Sequence, residues 1–394
     1  MASNLKFPTL VKSTKVTFVP TVAVVIPSYN HAHYIGAALQ SVAAQTLPAQ
    51  QIVVVDDGST DNSLEVIRAF GATHPELRLF PQANAGAHVA LNRAIEAAGA
   101  VDYIAILNSD DLYEPARLER CVAYLEAHPE CELVATGLHL IGPDGALLPA
   151  DHPKARRLRT IWADPARDPA EWLGTSNFAK TTSNFVIRAT YARSHPLRDY
   201  RYVHDYFFAV VAAVEGQFGV IAEPLLRYRT HPTNTIKVDG ASRVARETVQ
   251  LNFDLLRELS PRLSESPQVR AAFTRYFRAL AGNASDFRLE PFLSLTARLA
   301  AGHPEPLRCW LEAMTATEFP ELAAAPGLQP RLEAFRRQAL RSRWVSLGIA
   351  LGLVPRLFSD DEAALAANFP ALERKFLRCA WVRFGMQMRF LGLP

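Results

Sequence analysis

The feature that most constrains the fold is an alternation of short apolar runs with stretches of helical spacing. The apolar runs are continuous, as expected of strands buried on both faces. They lie at 22–26, 52–55, 77–80, 103–107 and 133–136. Helical spacing follows the first four runs, at 34–44, 61–70, 87–98 and 115–127. Strands that alternate with helices predict an α/β fold with a mostly parallel sheet covered on both faces.

A change of pattern near residue 240 predicts a second part of the chain. Residues 1–20 are polar with scattered lysines and no apolar h-region, which predicts a flexible leader rather than a secretory signal. We expect an α/β domain over 21–240 and a helical region over 241–394, where Pro and Gly punctuate helical patterns. The longest apolar run, 344–354, is shorter than the roughly 20 residues that span a bilayer. The predicted compartment is therefore the cytoplasm.

The charge is unevenly distributed along the chain. The net charge is +3, but residues 1–240 carry 21 Lys and Arg against 24 Asp and Glu, whereas residues 331–394 carry 11 against 5. A segment at 373–393 combines arginines with Trp and Phe, which is typical of a helix lying on a membrane surface, here the inner face of the cell membrane. A core-packed helix with a solvated arginine face is the alternative. Nucleic-acid binding is not expected, because these aromatic residues lie in no recognisable nucleic-acid fold.

The cysteines of the chain indicate neither a metal site nor a disulfide framework. The chain has four cysteines and no C-x-x-C pair. They are Cys121, Cys131, Cys309 and Cys379. We expect them to be reduced and mostly buried.

Polar loops follow three of the predicted strands, at 27–30, 56–61 and 108–111. In open α/β sheets, ligands bind beyond the carboxyl ends of the strands. The second and third loops each contain a pair of adjacent aspartates. One carboxylate can accept hydrogen bonds from a base or a ribose, and another can hold Mg²⁺ or Mn²⁺ against phosphates. The alternative is that each aspartate pair, taken alone, only forms turns and helix caps. In that case Asp61 would be a helix N-cap and Gly58 a turn former.

The sequence lacks the glycine-rich motifs of two common classes of nucleotide-binding protein. No G-x-G-x-x-G follows the first strand, and no G-x-x-x-x-G-K-[ST] occurs in the sequence. These absences argue against a dinucleotide dehydrogenase and a P-loop NTPase. A phosphate group would then be held by a metal rather than by a glycine-rich loop.

Four sequence blocks resemble those of family-2 glycosyltransferases with the GT-A fold. They are V-V-I-P-S-Y-N at 24–30, I-V-V-V-D-D-G-S-T-D-N-S at 52–63, N-A-G-A-H-V-A-L-N-R-A-I at 84–95 and I-L-N-S-D-D-L-Y-E-P at 106–115. The resemblance covers roughly 22–232 and is specific, because the blocks occur in order at the expected spacing. It implies an inverting enzyme that moves a sugar from a nucleotide diphosphate donor to an acceptor hydroxyl.

The resemblance implies a nucleotide-sugar site built from these blocks and from Y-R-x-H-x-x-N at 228–234. Its residues are Pro27, Tyr29, Asp56, Asp57, Asn84, Asn108, Asp110 and Arg229. Asp57 matches the family's nucleobase-contacting aspartate, and Asp110 would lie by the donor ribose or sugar. Asp111 would bind the metal, and His231 and Arg229 would reach the metal or the diphosphate. Asn108 departs from the family, which often has Asp there, so metal affinity or sugar contacts are expected to differ.

The general base is implied by a third region. The family places an E-D pair where this chain has His204 and Asp205, and its Asp removes the proton from the acceptor hydroxyl. Asp205 is therefore the predicted base, with His204 orienting it or altering its pKa. The alternatives are an N-cap for Asp205 and an ordinary polar role for His204. Upstream, Ser183 and Asn184 match an acceptor-side loop and would contact sugar hydroxyls, or else form a turn. His204, beside the predicted base, is also expected on the acceptor side of the site.

The resulting prediction is a glycosyltransferase acting on a UDP-sugar or another nucleotide sugar, with a glycan or lipid-linked acceptor and Mn²⁺ or Mg²⁺ as cofactor. The transferred residue would be of hexosyl or N-acetylhexosaminyl type. One alternative is a sugar-phosphate nucleotidyltransferase, although its usual Gly- and Arg-rich loop after the first strand is missing. The other is an inactive GT-A binding module in a glycan-assembly complex, which Asn108 and His204 would favour.

Overall fold

The structure, a computed structural model of the chain, describes residues 20–232, residue 234 and, with gaps, residues 244–282. Within this part the expected alternation of strands and helices is present. Within the helical region predicted for 241–394, residues 283–394 lie outside the described residues, and the basic segment at 373–393 lies outside with them. Residues 1–19 of the predicted leader also lie outside them.

The described strands form one sheet in the order β3-β2-β1-β4-β7-β6-β8-β5. Their bounds are β1 Val22–Ser28, β2 Gln51–Asp56, β3 Leu77–Pro81, β4 Tyr103–Ile106, β5 Leu112–Tyr113, β6 Leu133–Ile141, β7 Val186–Arg188 and β8 Phe218–Arg229. Strands β1 to β4 are mutually parallel, and β6 runs parallel to β8. The antiparallel strands β7 and β5 make the second half of the sheet mixed.

Helices cover both faces of this sheet. Their bounds are α1 Ala32–Ala43, α2 Ser63–Gly71, α3 Ala87–Ala97, α4 Arg117–Ala127, α5 Pro153–Ile161, α6 Pro169–Thr175, α7 Ala189–Ser194, α8 His204–Val214, α9 Arg262–Glu265 and α10 Pro267–Gly282. A short 3-10 helix, Thr182–Asn184, precedes β7. Further helical residues are described between 244 and 259.

The continuous apolar runs are explained by two hydrophobic cores, one on each face of the sheet. Because successive side chains of a strand point to opposite faces, Val24 and Val25 enter different cores. Helices α1, α2 and α4 close one core, and α3, α6, α7, α8 and α10 close the other. A polar residue at any interior position of β1 or β2 would therefore be buried without solvent on either side.

Helix α10 packs closely on α6, and a glycine makes this contact possible. A Cβ added at Gly174 would lie 2.3 Å from the carbonyl oxygen of Tyr276, a distance that side-chain carbons do not adopt. The Tyr276 hydroxyl also donates to the hydroxyl of Tyr206 on α8, at 3.4 Å. Residues 267–282 therefore share the core of the α/β half.

The five predicted strands are confirmed, and the strand at 133–136 extends to Ile141 as β6. The prediction that Asp61 caps α2 is wrong, because the N-cap is Asn62. Asp61 instead accepts hydrogen bonds from the backbone of Ala32 and of Ser63, which ties α1 to α2. Among the described residues no helix has the length and apolarity that crossing a membrane requires.

Candidate functional site

The loop after β2 is organised around its two aspartates. Asp56 accepts hydrogen bonds from the backbone and hydroxyl of Ser59, at 2.9 and 2.7 Å, so it stabilises its own turn. Asp57 accepts from the Gln82 side chain at 2.7 Å and from the backbone N–H groups of Ala85 and Gly86 at 2.8 and 2.9 Å. The buried Asp57 carboxylate thus holds the loop at 82–86 against the end of β2.

Gly58 is required between these loops. Its φ is +79°, and a Cβ at this position would lie 2.9 Å from the backbone nitrogen of Asn84. Any other residue would be both strained and in collision with backbone. The exposed Asn84 and the half-exposed Tyr29, at 46%, flank this junction, while Pro27 lies within β1.

A cluster of three potential metal ligands lies at the ends of β1, β4 and β8. His31, Asp110 and His231 each offer one ligand atom, and these atoms lie within 4.8 Å of one another. His231 Nε2 is 2.9 Å from Asp110 Oδ2. His31 Nδ1 pairs with the Ser109 hydroxyl at 2.7 Å. Burial lowers the pKa of His31, which favours the neutral imidazole that binds metals.

Asp111, the predicted metal ligand, points elsewhere. Its side chain is fully buried, and it accepts from the Ser183 hydroxyl at 2.6 Å and from the Arg229 backbone N–H at 2.8 Å. Burial raises the pKa of Asp111 well above its ordinary value, and the neighbouring Asp110 raises it further. Asp111 therefore joins β8 to the 3-10 helix, and of the aspartate pair it is Asp110 that faces the histidines.

Arg229 also differs from its predicted role at the diphosphate. Its guanidinium donates to the backbone oxygens of Asp110, Gly142 and Pro143, at 2.7 to 3.0 Å, and lies 4.8 Å from the centre of the Tyr34 ring. The residue is 3% exposed. Its donors are directed at backbone carbonyls rather than into open space, so Arg229 braces the loop that carries Asp110.

The predicted acceptor residues Ser183 and Asn184 are both fully buried. The Ser183 hydroxyl accepts from the Asn108 backbone at 2.9 Å and donates to Asp111. The Asn184 amide donates to the backbone oxygens of Thr136 and Ala179, and its oxygen accepts from Thr136 N–H at 3.0 Å. This geometry contradicts direct acceptor contact, because the polar atoms of both side chains are used inside the fold.

Asn108 is held by the same segment. Its amide donates to the Thr181 hydroxyl at 2.9 Å, and its oxygen accepts from the Thr182 hydroxyl at 3.0 Å. A carboxylate at position 108 would accept from Thr182 but could not donate to Thr181. The asparagine that departs from the family pattern is thus matched to a threonine pair in this chain.

Asp205 lies in the first turn of α8 and is 7% exposed. Its Oδ1 accepts from the Tyr206 backbone N–H at 2.7 Å, and its Oδ2 accepts from the Asn177 amide at 3.3 Å. Burial raises the pKa of Asp205, while the adjacent His204 lowers it. The N-cap of α8 is Val203, so the cap alternative for Asp205 is wrong. His204 Nδ1 is 3.1 Å from the Tyr200 carbonyl oxygen.

The carboxylates of Asp205 and Asp111 are linked through one segment of the chain. Asn177 donates to Asp205, and Ser183, six residues later, donates to Asp111. The start of α8 therefore lies in the same region as the loop after β4. Burial raises the pKa of Tyr228, and the negative charges of Asp111, Asp110 and Asp205 each raise it further. Such an arrangement can hold a divalent cation beside a buried carboxylate that is able to take up a proton.

The overall fold is that of GT-A glycosyltransferases. The structure is similar to that of S. aureus TarS 1-349, with a TM-score of 0.53 and 16% identity over 87% of this chain and 94% of that chain. A complex of the same TarS fragment with UDP-GlcNAc is similar to the same degree. At this identity the likeness concerns the fold.

The sequence comparison gives a family match over part of the chain. Residues 23–192 match the family model for Glycosyl transferase family 2. Hyaluronan synthase of Pasteurella multocida is 34% identical over 179 residues, which are 45% of this chain and 17% of that protein. The putative teichuronic acid biosynthesis glycosyltransferase TuaG of Bacillus subtilis is 33% identical over 130 residues, 33% of this chain and 51% of that protein. The chain thus matches less than a fifth of the first relative and about half of the second.

Sequence reasoning missed residues that complete the site. His31 directly follows the block at 24–30. Because His231 was already a predicted metal ligand, a second histidine beside a family block was a signal for a second metal ligand. Asn177 and Lys180 lie in a stretch without any recognisable block. Only the folded chain brings them to Asp205.

Proposed function

We propose that the protein is an inverting glycosyltransferase that moves a hexosyl or N-acetylhexosaminyl residue from a nucleotide diphosphate sugar to an acceptor hydroxyl. The observation that carries this proposal is a three-residue cation site and the buried carboxylate of Asp205, joined by the segment 177–183. In this segment Asn177 donates to Asp205, and Ser183 donates to Asp111, the neighbour of Asp110. The proposed catalytic domain is 21–240, followed by the helical region 241–394.

The donor nucleotide is proposed to bind where the loops after β1 and β2 meet. Tyr29 presents an exposed ring beside the loop that Asp57 organises, and the buried Ser28 hydroxyl has no hydrogen-bond partner within the described part of the chain. An unpaired buried hydroxyl at a strand end is favourable for a ligand that supplies the missing partner. The likeness to a TarS complex with UDP-GlcNAc supports a UDP-sugar.

The cofactor is proposed to be Mn²⁺ or Mg²⁺, held by His31, Asp110 and His231. This replaces the prediction that Asp111 is the carboxylate ligand. Two imidazoles and one carboxylate suit Mn²⁺ better than Mg²⁺, which prefers oxygen ligands. When bound, the cation offsets the negative charge that builds up on the diphosphate leaving group.

Asp205 is proposed to act as the general base. The acceptor oxygen attacks the anomeric carbon, the bond from that carbon to the diphosphate oxygen breaks, and the diphosphate leaves with the electron pair. The hydroxyl proton passes to the Asp205 carboxylate as the new bond forms. A pKa raised by burial makes this carboxylate a stronger base, and its two hydrogen bonds hold it in one orientation.

The acceptor is proposed to be a glycan or a lipid-linked saccharide, used in the cytoplasm or at a membrane surface. Relatives named as synthases of hyaluronan and chondroitin support a role in polysaccharide synthesis. We propose no nucleic-acid partner. Peripheral membrane association through the segment at 373–393 remains a proposal from its sequence.

The experiment is a turnover assay for nucleotide release over a panel of nucleotide sugars with Mn²⁺ and a mixed glycan acceptor. We expect Asp205→Asn to lower turnover about 10²–10⁴-fold while donor binding persists. The exposed Asp164 provides the matched control, and Asp164→Asn should leave turnover unchanged.

Turnover that is equal in the wild type and in Asp205→Asn would exclude Asp205 as the base. A wild type that binds nucleotide sugars yet never releases nucleotide would favour the inactive binding module. Formation of a nucleotide sugar from a nucleoside triphosphate and a sugar phosphate would favour the nucleotidyltransferase.

A further inference from the structure

Lys180 has an unusual backbone conformation beside the proposed base. Its φ is +68°, in the left-handed region that a residue with a Cβ seldom adopts. The conformation is held by Asn177, whose side-chain oxygen accepts from the Lys180 N–H at 3.0 Å. The amide of the same Asn177 donates to Asp205. Unfavourable backbone conformations that are retained at a site point to a functional requirement for the residue.

Lys180 lies between the two halves of the proposed site, one at Asp205 and the other at Asn108. On one side Asn177 connects it to Asp205, and on the other the next residue, Thr181, accepts a hydrogen bond from Asn108. The side chain is partly buried. Within the described residues no carboxylate lies within ion-pair distance of Lys180, so its charge is left for a group outside the fold.

A basic helix lies close to the segment that carries Lys180, since the ring of Trp162, the residue after α5, is 5.7 Å from the ring of Phe178. Helix α5, Pro153–Ile161, carries four Lys and Arg residues and no Asp or Glu. These residues, Lys154, Arg156, Arg157 and Arg159, are exposed, and none forms an ion pair within the described part of the chain. Burial is the main cause that lowers the pKa of Lys180 to about 8; the positive charge of Arg157 also lowers it, and the negative charge of Asp205 raises it.

We propose that Lys180 and the basic face of α5 bind anionic groups of the acceptor, so that the acceptor is a polyanionic saccharide chain bearing carboxylates or phosphates. The proposal rests on the proposed function and specifies its acceptor. Lys180 would hold the anionic group nearest the reacting hydroxyl. The exposed residues of α5 would hold groups further along the chain, since 154 to 159 extend over about 8 Å of helix.

An anion on the donor is the main alternative source of the same chemistry. The cation cluster, where a diphosphate would sit, is built from the ends of β1, β4 and β8, and Lys180 is not one of its members. Lys180 is instead connected through Asn177 to Asp205, the proposed base that faces the acceptor. A donor role for Lys180 would change UDP affinity, whereas an acceptor role would not. The two roles can therefore be separated by measurement.

The test measures binding of labelled oligogalacturonate, inorganic polyphosphate and neutral maltooligosaccharide to the full chain by fluorescence anisotropy. UDP affinity is measured in parallel by calorimetry. We expect the wild type to bind at least one of the two polyanions but not the neutral oligosaccharide, and Lys180→Gln to weaken polyanion binding about 10-fold or more. Lys180→Arg should restore most of it, and Arg157→Gln should weaken it to a smaller extent.

Arg68→Gln, which removes an equivalent exposed charge on α2, is the matched control and should bind as the wild type does. UDP affinity should be the same in every variant, and thermal unfolding checks that each variant is folded. The proposal is overturned if Lys180→Gln binds polyanions normally, if Arg68→Gln loses as much affinity, or if Lys180→Gln loses UDP affinity instead. Binding of the wild type to anionic phospholipid vesicles but to neither polyanion would also overturn it.

Failure of the proposed function would appear differently. Binding that depends on Lys180, in a protein that turns over no nucleotide sugar, would contradict the enzymatic proposal and leave polyanion recognition standing. Turnover without such binding would contradict only the inference about the acceptor.

Discussion

Exchanging each of the adjacent aspartates for asparagine separates a ligand from a structural carboxylate. Asp110 Oδ2 lies 2.9 Å from His231 Nε2 within the cation cluster, so Asp110→Asn removes a charged ligand. Loss of a supporting partner of a metal ligand already costs about 10–100-fold in metal affinity. We therefore expect Asp110→Asn to weaken Mn²⁺ binding by about 100-fold or more.

Asp111→Asn should behave differently. The asparagine oxygen can still accept from the Arg229 backbone, while the hydrogen bond from Ser183 is lost or reversed, at about 1 kcal/mol. Removal of a buried charge offsets part of that loss, because burial disfavours the ionised form. We expect the free energy of unfolding to change by about 1–2 kcal/mol or less and Mn²⁺ affinity by less than about 10-fold.

The assay is titration of Mn²⁺ followed by electron paramagnetic resonance, with urea unfolding of each variant. Asp164→Asn, in an exposed loop, controls for the loss of one negative charge. The assignment of Asp110 as the metal ligand would be refuted if folded Asp111→Asn no longer bound Mn²⁺ while Asp110→Asn still did. Asp111, the ligand predicted from the sequence, would then be the better candidate.

Three further predictions concern the nucleotide, the base and the packing. Asp57→Ala removes the acceptor of three hydrogen bonds from the 82–86 loop and should weaken UDP binding by about 1–3 kcal/mol, as measured by calorimetry. Unchanged UDP affinity would show that the nucleobase pocket does not lie at this loop. Burial raises the pKa of Asp205, and the base must be deprotonated, so activity should fall as pH drops through a value above the ordinary aspartate pKa of about 3.9. A kcat/KM profile whose acid limb lies at or below that value would contradict this. Gly174→Ala forces a Cβ to 2.3 Å from the Tyr276 carbonyl oxygen and should destabilise the fold by about 1–3 kcal/mol in urea unfolding. Gly36→Ala, whose nearest neighbour is at 3.5 Å, should not, and equal effects would reject the packing argument.

The strands and the regions of the site could be predicted because their signals are local. An apolar run such as 22–26 is recognisable in isolation, and the aspartates after β2 and β4 stand at strand ends, where ligands bind. The antiparallel strand β7, at Val186–Arg188, pairs with β4 across some eighty residues, and no local pattern specifies such a partner. Helices α5 and α6 were missed because the sequence at 142–181 has few apolar residues at helical spacing.

The roles within the site were harder to predict than its position. Asp110 and Asp111 are adjacent, and a one-residue difference decides which carboxylate faces the histidines and which is buried against Ser183. Arg229 and Asn184 are residue types that often bind ligands, yet backbone groups far away in the sequence occupy them. Such occupancy depends on tertiary contacts, which a motif does not describe.

The hydroxyl contact between Tyr276 and Tyr206 has a consequence for how this chain could be recombined with its relatives. Tyr206 follows the proposed base directly and also donates to the Leu173 carbonyl oxygen, so α8 is held from two sides, by α6 and by α10. A chimera joined near residue 240 would keep every family block but lose the support of α10. The smallest exchangeable module therefore extends to Gly282. We expect substitutions in α10 to affect the position of α8, although α10 carries none of the proposed site residues.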